Sequence, residues 1–432
     1  MQRRFARRLF GSGAPLAAAL SLTLLGSALG CGRGDADGHS VATVGAAPEP
    51  AKPGRASAAS ARVTGAVVAA PARGLPRPRR IDPPGDHPPV GAVLYVAPDG
   101  PHIVVALSPE TSLAPNGEWC DAFDCTALKC WEAKLGAGCA ATGVEPAPSL
   151  TTGRRWDGQG LCIVQQGGER MAVIERWPMS AYTTSHITVE RAGEVVFSKT
   201  LGIPGYNDMQ AVARPEYPRD VSALGAFEPS ATLVDERVWL VTRDGFGYAS
   251  VSSTRWGHFT YGDWAVSKRL GRGYSPAIVG SRDRGLFVSC VRSAAASSST
   301  GRAPSTIALF RSTDGQDWKA LQPVTDETTA RTQALALDPE HGLCVVYAAK
   351  REGGWPLMAA RSADFGQTWG KPVMLTERTI YASQPQVVAY GGRFYISYRD
   401  TADVMSKRWN PLFDGDPLGI YTLVLEPEQL PA

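Results

Sequence analysis

The chain has 432 residues and a formal net charge of +3, with 44% of residues hydrophobic and 20% charged. So even a balance excludes a body built to bind nucleic acid, whose footprint is a strongly basic face. The six histidines are scattered, and no phosphate-cradling glycine loop or G-x-S-x-G elbow occurs, so no cofactor and no metal site is expected.

The first 30 residues read as an export signal. Arg3, Arg4, Arg7 and Arg8 form a positive n-region, Ala14 to Leu25 an apolar core too short to span a bilayer, and Ser27-Ala-Leu-Gly-Cys31 a small-residue cleavage site. A cleavage site ending on cysteine resembles a bacterial lipobox. The resemblance implies a lipoprotein diacylated at Cys31 and anchored to the cell envelope by lipid alone. Ordinary secretion is the alternative, and Arg7-Arg-Leu-Phe10 also resembles a twin-arginine signal.

Residues 31–88 are rich in Ala, Gly, Pro and Arg, lack any aromatic and show no strand or helix periodicity. Such a stretch cannot bury enough surface to offset chain entropy and is expected to be a disordered tether. It carries eight Lys/Arg against five Asp/Glu. Removing these and the four signal arginines leaves 32 basic against 36 acidic residues, roughly −4, for the folded part.

From residue 89 to 432 the chain reads as all-β. Val93-Leu-Tyr-Val96 with His102-Ile-Val-Val-Ala106, and Gly160-Leu-Cys-Ile-Val164 with His186-Ile-Thr-Val-Glu190, predict two strand pairs. Between them, Cys120, Cys125, Cys130 and Cys139 mark an insertion near residues 115–140. In an exported protein four such cysteines read as two disulfides, with zinc as the alternative, although the usual C-x2-C spacing is missing. Cys162, Cys290 and Cys344 sit in apolar strands and are expected to be buried small hydrophobes.

Four later segments share one rhythm of two short strands around a turn. They begin at Glu228, Tyr274, Gln333 and Ser383, roughly 46, 59 and 50 residues apart. The last unit is followed by Gly419-Ile-Tyr-Thr-Leu-Val-Leu-Glu426, a third strand, and a fourth is expected from the start of the folded region, closing a ring and removing its exposed edges. Within the repeat lie Ser362-Ala-Asp-Phe-Gly-Gln-Thr-Trp369 and a degraded copy 50 residues upstream, Ser312-Thr-Asp-Gly-Gln-Asp-Trp318. Aspartate supplies a side-chain acceptor and glycine a permissive backbone for a tight turn, and the tryptophan can pack under the hairpin.

These two turns resemble the Asp box of the sialidase superfamily. The resemblance implies a six-bladed sialidase-like β-propeller of four-stranded antiparallel blades, with seven blades as the alternative count, and a monomer. In such a propeller the strand starts Glu228, Tyr274, Gln333 and Gln384 and the strand ends Arg243, Arg292, Lys350, Arg351 and Arg399 share one face, opposite the Asp-box turns. Converging guanidinium groups suit the carboxylate of an acidic sugar. By the same likeness Tyr381 is the nucleophile, Glu228 its base and Asp124 the acid, and Arg243, Arg292, Arg351 and Arg399 bind substrate. Nothing near His87-Pro-Pro-Val90 reproduces the family's Phe/Tyr-Arg-Ile-Pro motif, and Arg79-Arg-Ile-Asp-Pro83 lies too far upstream to take its place. The expected function is an exported surface lipoprotein that hydrolyses terminal acidic sugars, with an acidic glycan or glycoconjugate as partner. The alternatives are a propeller that binds anionic glycans or a protein without turnover, and a structural lipoprotein.

Overall fold

The computed structural model describes residues 74–82, 89–107, 129–147, 160–176, 184–200, 227–243, 247–259, 263–293, 305–325, 329–377, 381–401 and 417–432. They form six antiparallel sheets of four strands. Blade 1 is β2 (Pro89–Ala97), β3 (Gly100–Leu107), β4 (Lys129–Leu135) and β5 (Ala141–Pro146). Blade 2 is β6 (Leu161–Gln166), β7 (Glu169–Arg176), β8 (Thr184–Arg191) and β9 (Glu194–Thr200). Blade 3 is β10 (Phe227–Val234), β11 (Arg237–Arg243), β12 (Tyr248–Arg255) and β13 (Ala265–Arg272). Blade 4 is β14 (Tyr274–Ser281), β15 (Gly285–Ser293), β16 (Ser305–Ser312) and β17 (Lys319–Ala320). Blade 5 is β18 (Ala330–Asp338), β19 (Gly342–Ala349), β20 (Leu357–Ser362) and β21 (Val373–Met374). Blade 6 is β22 (Ala382–Tyr390), β23 (Arg393–Thr401), β24 (Pro417–Leu425) and, from the other end of the chain, β1 (Arg79–Ile81). Among the described residues no helix is long and apolar enough to cross a membrane.

The fourth strand of blade 6 comes from inside the segment expected to be tether. Arg79, Arg80 and Ile81 pair with Thr422, Tyr421 and Ile420. Ile81 is buried in the layer between blades 6 and 1, beside Leu94 and Ile420. One apolar residue in an arginine-rich run is too weak a period to reveal a strand, so the expected boundary at residue 89 falls too late. Arg79 and Arg80 thereby belong to the outer edge of blade 6, far from any first-blade ligand position.

Burial explains why the strands read as nearly continuous apolar runs. Each blade is sandwiched between two others, so both faces are covered and the alternation of a half-exposed sheet disappears. All eight residues of β19 are buried. In β15, Phe287 and Val291 join the layer with blade 5, while Leu286, Val288 and Cys290 join the layer with blade 3. Six such layers, one per neighbouring pair, complete the ring.

The two S-x-D turns join the outer strands of blades 4 and 5. Asp364 accepts from the Gln367 and Thr368 amides at 3.0 and 2.8 Å and from the Thr368 hydroxyl at 2.6 Å, while Ser362 accepts the Gly366 amide at 2.6 Å. Burial opposes ionisation of Asp364, but these donors outweigh it and hold its carboxyl below the usual range. Asp314 is held low by the Asp317 and Gln316 amides. Gly366 (φ 90°) and Gly315 (φ 76°) take the left-handed conformation, and each turn presses on the preceding blade. A β-carbon at Gly315 would sit 1.8 Å from the Trp239 ring, and one at Gly366 would sit 2.4 Å from Leu309.

The cysteine cluster is only partly within the described residues, since Cys120 and Cys125 lie outside them. Cys130 and Cys139 are not bridged to each other, and their thiols lie in different layers on opposite sides of blade 1. Burial pushes both up to about 12. The expected pair of disulfides therefore cannot include a Cys130–Cys139 bond. Cys290 and Cys344 are fully buried, as expected of small hydrophobes, whereas Cys162 is partly accessible.

Candidate functional site

The inner strands β2, β6, β10, β14, β18 and β22 line a central channel that holds a cavity of ≈ 370 Å³. Its walls are apolar, including Val93, Ile163, Ala231, Leu335 and Val387, and its polar residues include Glu228, Ser275 and Gln333 near the strand starts. Chemistry is therefore concentrated at one mouth.

What builds that mouth is a repeated backbone device. Five inner strands open with a register shift in which an extra residue is inserted: β2, β10, β14, β18 and β22. In three of them a residue before proline takes a positive φ: Glu228 at 54°, Ser275 at 48° and Gln384 at 50°. The sequence reads Glu228-Pro, Ser275-Pro and Gln384-Pro. Proline disfavours the right-handed helical region for the residue before it, and a left-handed non-glycine residue costs about 1–2 kcal/mol. Bulges of this kind re-aim side chains, and strain of this size collects at functional sites.

The re-aimed side chains link the blades around the channel. The Ser275 amide, which the bulge removes from the ladder, donates to the Glu228 carboxylate at 2.5 Å. Arg243 Nε lies 3.3 Å from the same oxygen. Ser230 accepts the Ile278 amide at 3.1 Å. From blade 5, Gln333 donates to the Ser275 carbonyl and accepts the Ser289 hydroxyl at 2.8 Å. A polar chain thus runs from Arg243 through Glu228 and Ser275 to Gln333.

Glu228 and Arg243 meet, and the other predicted residues are placed as follows. Arg399 holds in blade 6 the position Arg243 holds in blade 3, since Arg243 pairs with Phe227 and Arg399 with Ser383, the residue before each bulge. Arg399 is 8% exposed. Arg292 does not share that orientation, because the pairing of Tyr274 with Val291 puts Val291 in the equivalent place and turns Arg292 to the opposite face of its blade. There its guanidinium approaches Gly271 of blade 3. Tyr274 turns to the next blade and donates to the Ala330 carbonyl at 3.2 Å. Tyr381 lies in blade 6, across the ring from Glu228, and its amide donates to Asp400 at 3.2 Å. Arg351 bridges to Gly354 and donates to the Lys350 carbonyl at 2.9 Å. Asp124 and Cys31 lie outside the described residues.

Two features of this face went unread in the sequence. Trp355 pairs by its backbone with Tyr381 and lies under the Arg331 guanidinium at 5.8 Å, beside Arg351. Tyr248 is flanked by Arg269 and Arg272 at 5.2 and 5.4 Å. The signal for the first was the tryptophan in Gly353-Gly-Trp-Pro356, a loop between strands. The second depends on a bulge and carries no local signature.

No protein-family model matches the chain, and no curated protein sequence does. Solved structures do. The α-L-arabinofuranosidase Arb93A from Fusarium graminearum, in complex with an iminosugar inhibitor, superposes with a TM-score of 0.54 at 11% identity, covering 82% of this chain and 99% of that one. The GH93 α-L-arabinofuranosidase of the same organism, with arabinobiose, gives 0.53 at 10% identity over 82% and 98%. A Trypanosoma rangeli sialidase in complex with the inhibitor DANA gives 0.46 at 10% identity over 78% and 54%. Identities this low speak for fold alone. The chain is a six-bladed β-propeller of four-stranded antiparallel blades, a fold it shares with these two α-L-arabinofuranosidase structures.

Proposed function

We propose that this propeller is a glycoside hydrolase acting on terminal acidic sugars, exported and held at the cell envelope through a lipid on Cys31. The observation that carries the reading is the meeting of Glu228 and Arg243 at the channel mouth, on a backbone strained in a way that aims the carboxylate inward. In this reading the Tyr381 oxygen attacks the anomeric carbon and its proton passes to Glu228. The bond to the leaving oxygen breaks as Asp124 protonates it, and water then hydrolyses the tyrosyl intermediate. A phenol activated by a carboxylate avoids the repulsion a carboxylate nucleophile would meet beside an anionic sugar. Arg243, Arg351 and Arg399 bind the sugar's carboxylate, with Arg292 further out on the rim. The protein acts as a monomer without a cofactor.

One observation favours a second reading, binding without turnover. Glu228 already accepts a main-chain amide and faces Arg243, so it also serves as a pin between blades 3 and 4. Turnover of fluorogenic sialosides, uronides and arabinofuranosides by the native protein, beside Tyr381→Phe and Arg243→Ala, separates the two. Turnover of an acidic substrate abolished by both changes supports the hydrolase. Turnover of arabinofuranosides alone removes the acidic-sugar assignment, and binding of acidic sugars without turnover selects the second reading. Release of a Cys31→Ala variant from the membrane fraction tests the anchor, and unchanged retention refutes it.

A further inference from the structure

One aromatic side chain reaches the channel mouth from a loop rather than from a strand. Between β19 and β20 the chain doubles back at Arg351–Gly354: the Arg351 amide donates to the Gly354 carbonyl at 3.0 Å, and the Gly354 amide donates back to the Arg351 carbonyl at 3.3 Å. Gly353 takes the left-handed conformation that so short a turn requires, with φ at 94°. The turn delivers Trp355 to the seam between blades 5 and 6. Its carbonyl accepts the Ala382 amide at 2.9 Å, and its backbone bridges Tyr381, the residue that leads into β22. Residues paired across a bridge project their side chains to one side, so the indole and the Tyr381 phenol share a side. Arg331 meets the indole from β18, its guanidinium 5.8 Å from the ring. Ala330 pairs with Ala349 and Thr332 with Ala348, so Arg331 is the inserted residue of its bulge. It holds in blade 5 the place that Glu228, next after Phe227, holds in blade 3. The half-buried Trp355 ring therefore sits on the inner rim, between the start of one inner strand and the residue before the next.

We propose that Trp355 is a specificity-determining residue of the mouth, whose indole stacks on the C–H face of the sugar ring held against Tyr381. A half-exposed tryptophan at a polar opening keeps apolar surface in water, and the C–H face of a sugar covers it. Arg331 against the ring fixes its plane. Backbone bonds fix its position, since the carbonyl of the following Pro356 accepts the Ala349 amide at 3.2 Å, so little freedom is lost on binding. A sugar whose anomeric carbon comes within about 3–3.5 Å of the Tyr381 oxygen extends over the neighbouring side chain. The inference rests on the reading of the mouth as a sugar site and deepens it. A flat indole matches the broad C–H face of a pyranose better than a smaller, puckered furanose, so the substrate class is a pyranoside.

The test is equilibrium binding of a methyl sialoside, a methyl galacturonide and a methyl arabinofuranoside to the native protein, Trp355→Phe, Trp355→Ala and Arg243→Ala, with turnover and melting temperature in parallel. Trp355→Ala is expected to weaken binding of the two pyranosides about tenfold and Trp355→Phe, which keeps a smaller ring, about threefold, with the furanoside affected least. In turnover the loss should fall on KM rather than kcat. It should also be the same at low and high salt, because stacking is not screened, whereas the loss in Arg243→Ala should depend on salt. A tryptophan that only props the loop would instead lower the melting temperature and leave the affinity of the folded protein alone. Trp355→Phe and a measurement on the native chain decide the matter if the alanine variant does not fold: saturating methyl galacturonide should slow oxidation of Trp355 by N-bromosuccinimide severalfold, read by peptide mass spectrometry. Pyranoside affinity unchanged in the variants, or Trp355 oxidised equally fast with and without the bound sugar, would overturn the proposal while leaving the mouth a sugar site. A native protein that neither binds nor turns over any of these glycosides would remove the mouth as a sugar site and this inference with it.

Discussion

The carboxylate of Glu228 in blade 3 accepts the main-chain amide of Ser275 in blade 4, and both residues are the left-handed members of their own bulges. Each bulge creates what the other needs. One re-aims an acceptor, and the other frees a donor that would otherwise be buried without a partner. Glu228→Ala is expected to lower stability by about 2 kcal/mol by orphaning the Ser275 amide. Glu228→Gln, which keeps an acceptor but loses the charge facing Arg243, should cost about 1 kcal/mol. Urea midpoints measure both, and an alanine variant as stable as the native chain would rule out the pin.

Tyr381 is only partly buried, and its amide donates to Asp400. Tyr381→Phe is therefore expected to leave the melting temperature within about 1 °C while abolishing any turnover and any covalent intermediate. A fall of several degrees would make the hydroxyl structural.

The turns on the opposite face are predicted to be intolerant of small changes. Gly315→Ala puts a methyl group into the Trp239 ring and demands a left-handed alanine, so a loss of about 3 kcal/mol is expected. Trp369→Ala, which empties a partly buried place beside the layer between blades 4 and 5, should cost about 2–3 kcal/mol. Thermal unfolding of the two variants decides, and shifts inside experimental error would count against these packing contacts.

Between blades 1 and 2, Arg170 joins Glu132, Glu190 and the Tyr95 hydroxyl, and His102 bonds Glu132 and Asp99, each at 3.0 Å. Arg170→Ala strands two largely buried carboxylates and is expected to cost about 3–5 kcal/mol. The pH dependence follows from the shifts. The bond to Glu132, then that to Asp99, raises His102 above the ordinary 6.5, against burial. Its contribution is therefore complete below 6.5 and is lost as pH rises through the raised value. Burial works against Glu132, but His102, Arg170 and Tyr95 hold it at about 2 instead of 4.5, so its contribution is complete above 4.5 and is lost as pH falls toward 2. Stability from this cluster should peak between those limits. Denaturant midpoints across pH should show His102→Gln losing the decline on the alkaline side, and a decline that persists unchanged would assign it elsewhere.

Ring closure rests on three residues. Ile81→Asp places a charge in the layer beside Leu94 and Ile420 and is expected to lower the melting temperature by several degrees, whereas Arg79→Ala, at an exposed position, should change it little. Equal effects from the two would mean that β1 adds no packing.

The sequence alone determined the architecture, because the Asp and Gly of Ser362–Trp369 act within one turn and the strand pairs of blades 3 to 6 repeat at blade spacing. It also put Glu228 and Arg243 on one face, since strand starts and the ends of their neighbours must share a face in antiparallel pairs. Register was decided only in three dimensions. The pairing of Tyr274 with Val291 makes Val291, not Arg292, the counterpart of Arg243, and a one-residue bulge brings Arg269 and Arg272 together around Tyr248. An inserted residue reverses which face every later side chain takes, and nothing in the local composition announces it. The capture of Arg79–Ile81 by blade 6 was equally hidden, because a strand held by partners some 340 residues away needs almost no pattern of its own.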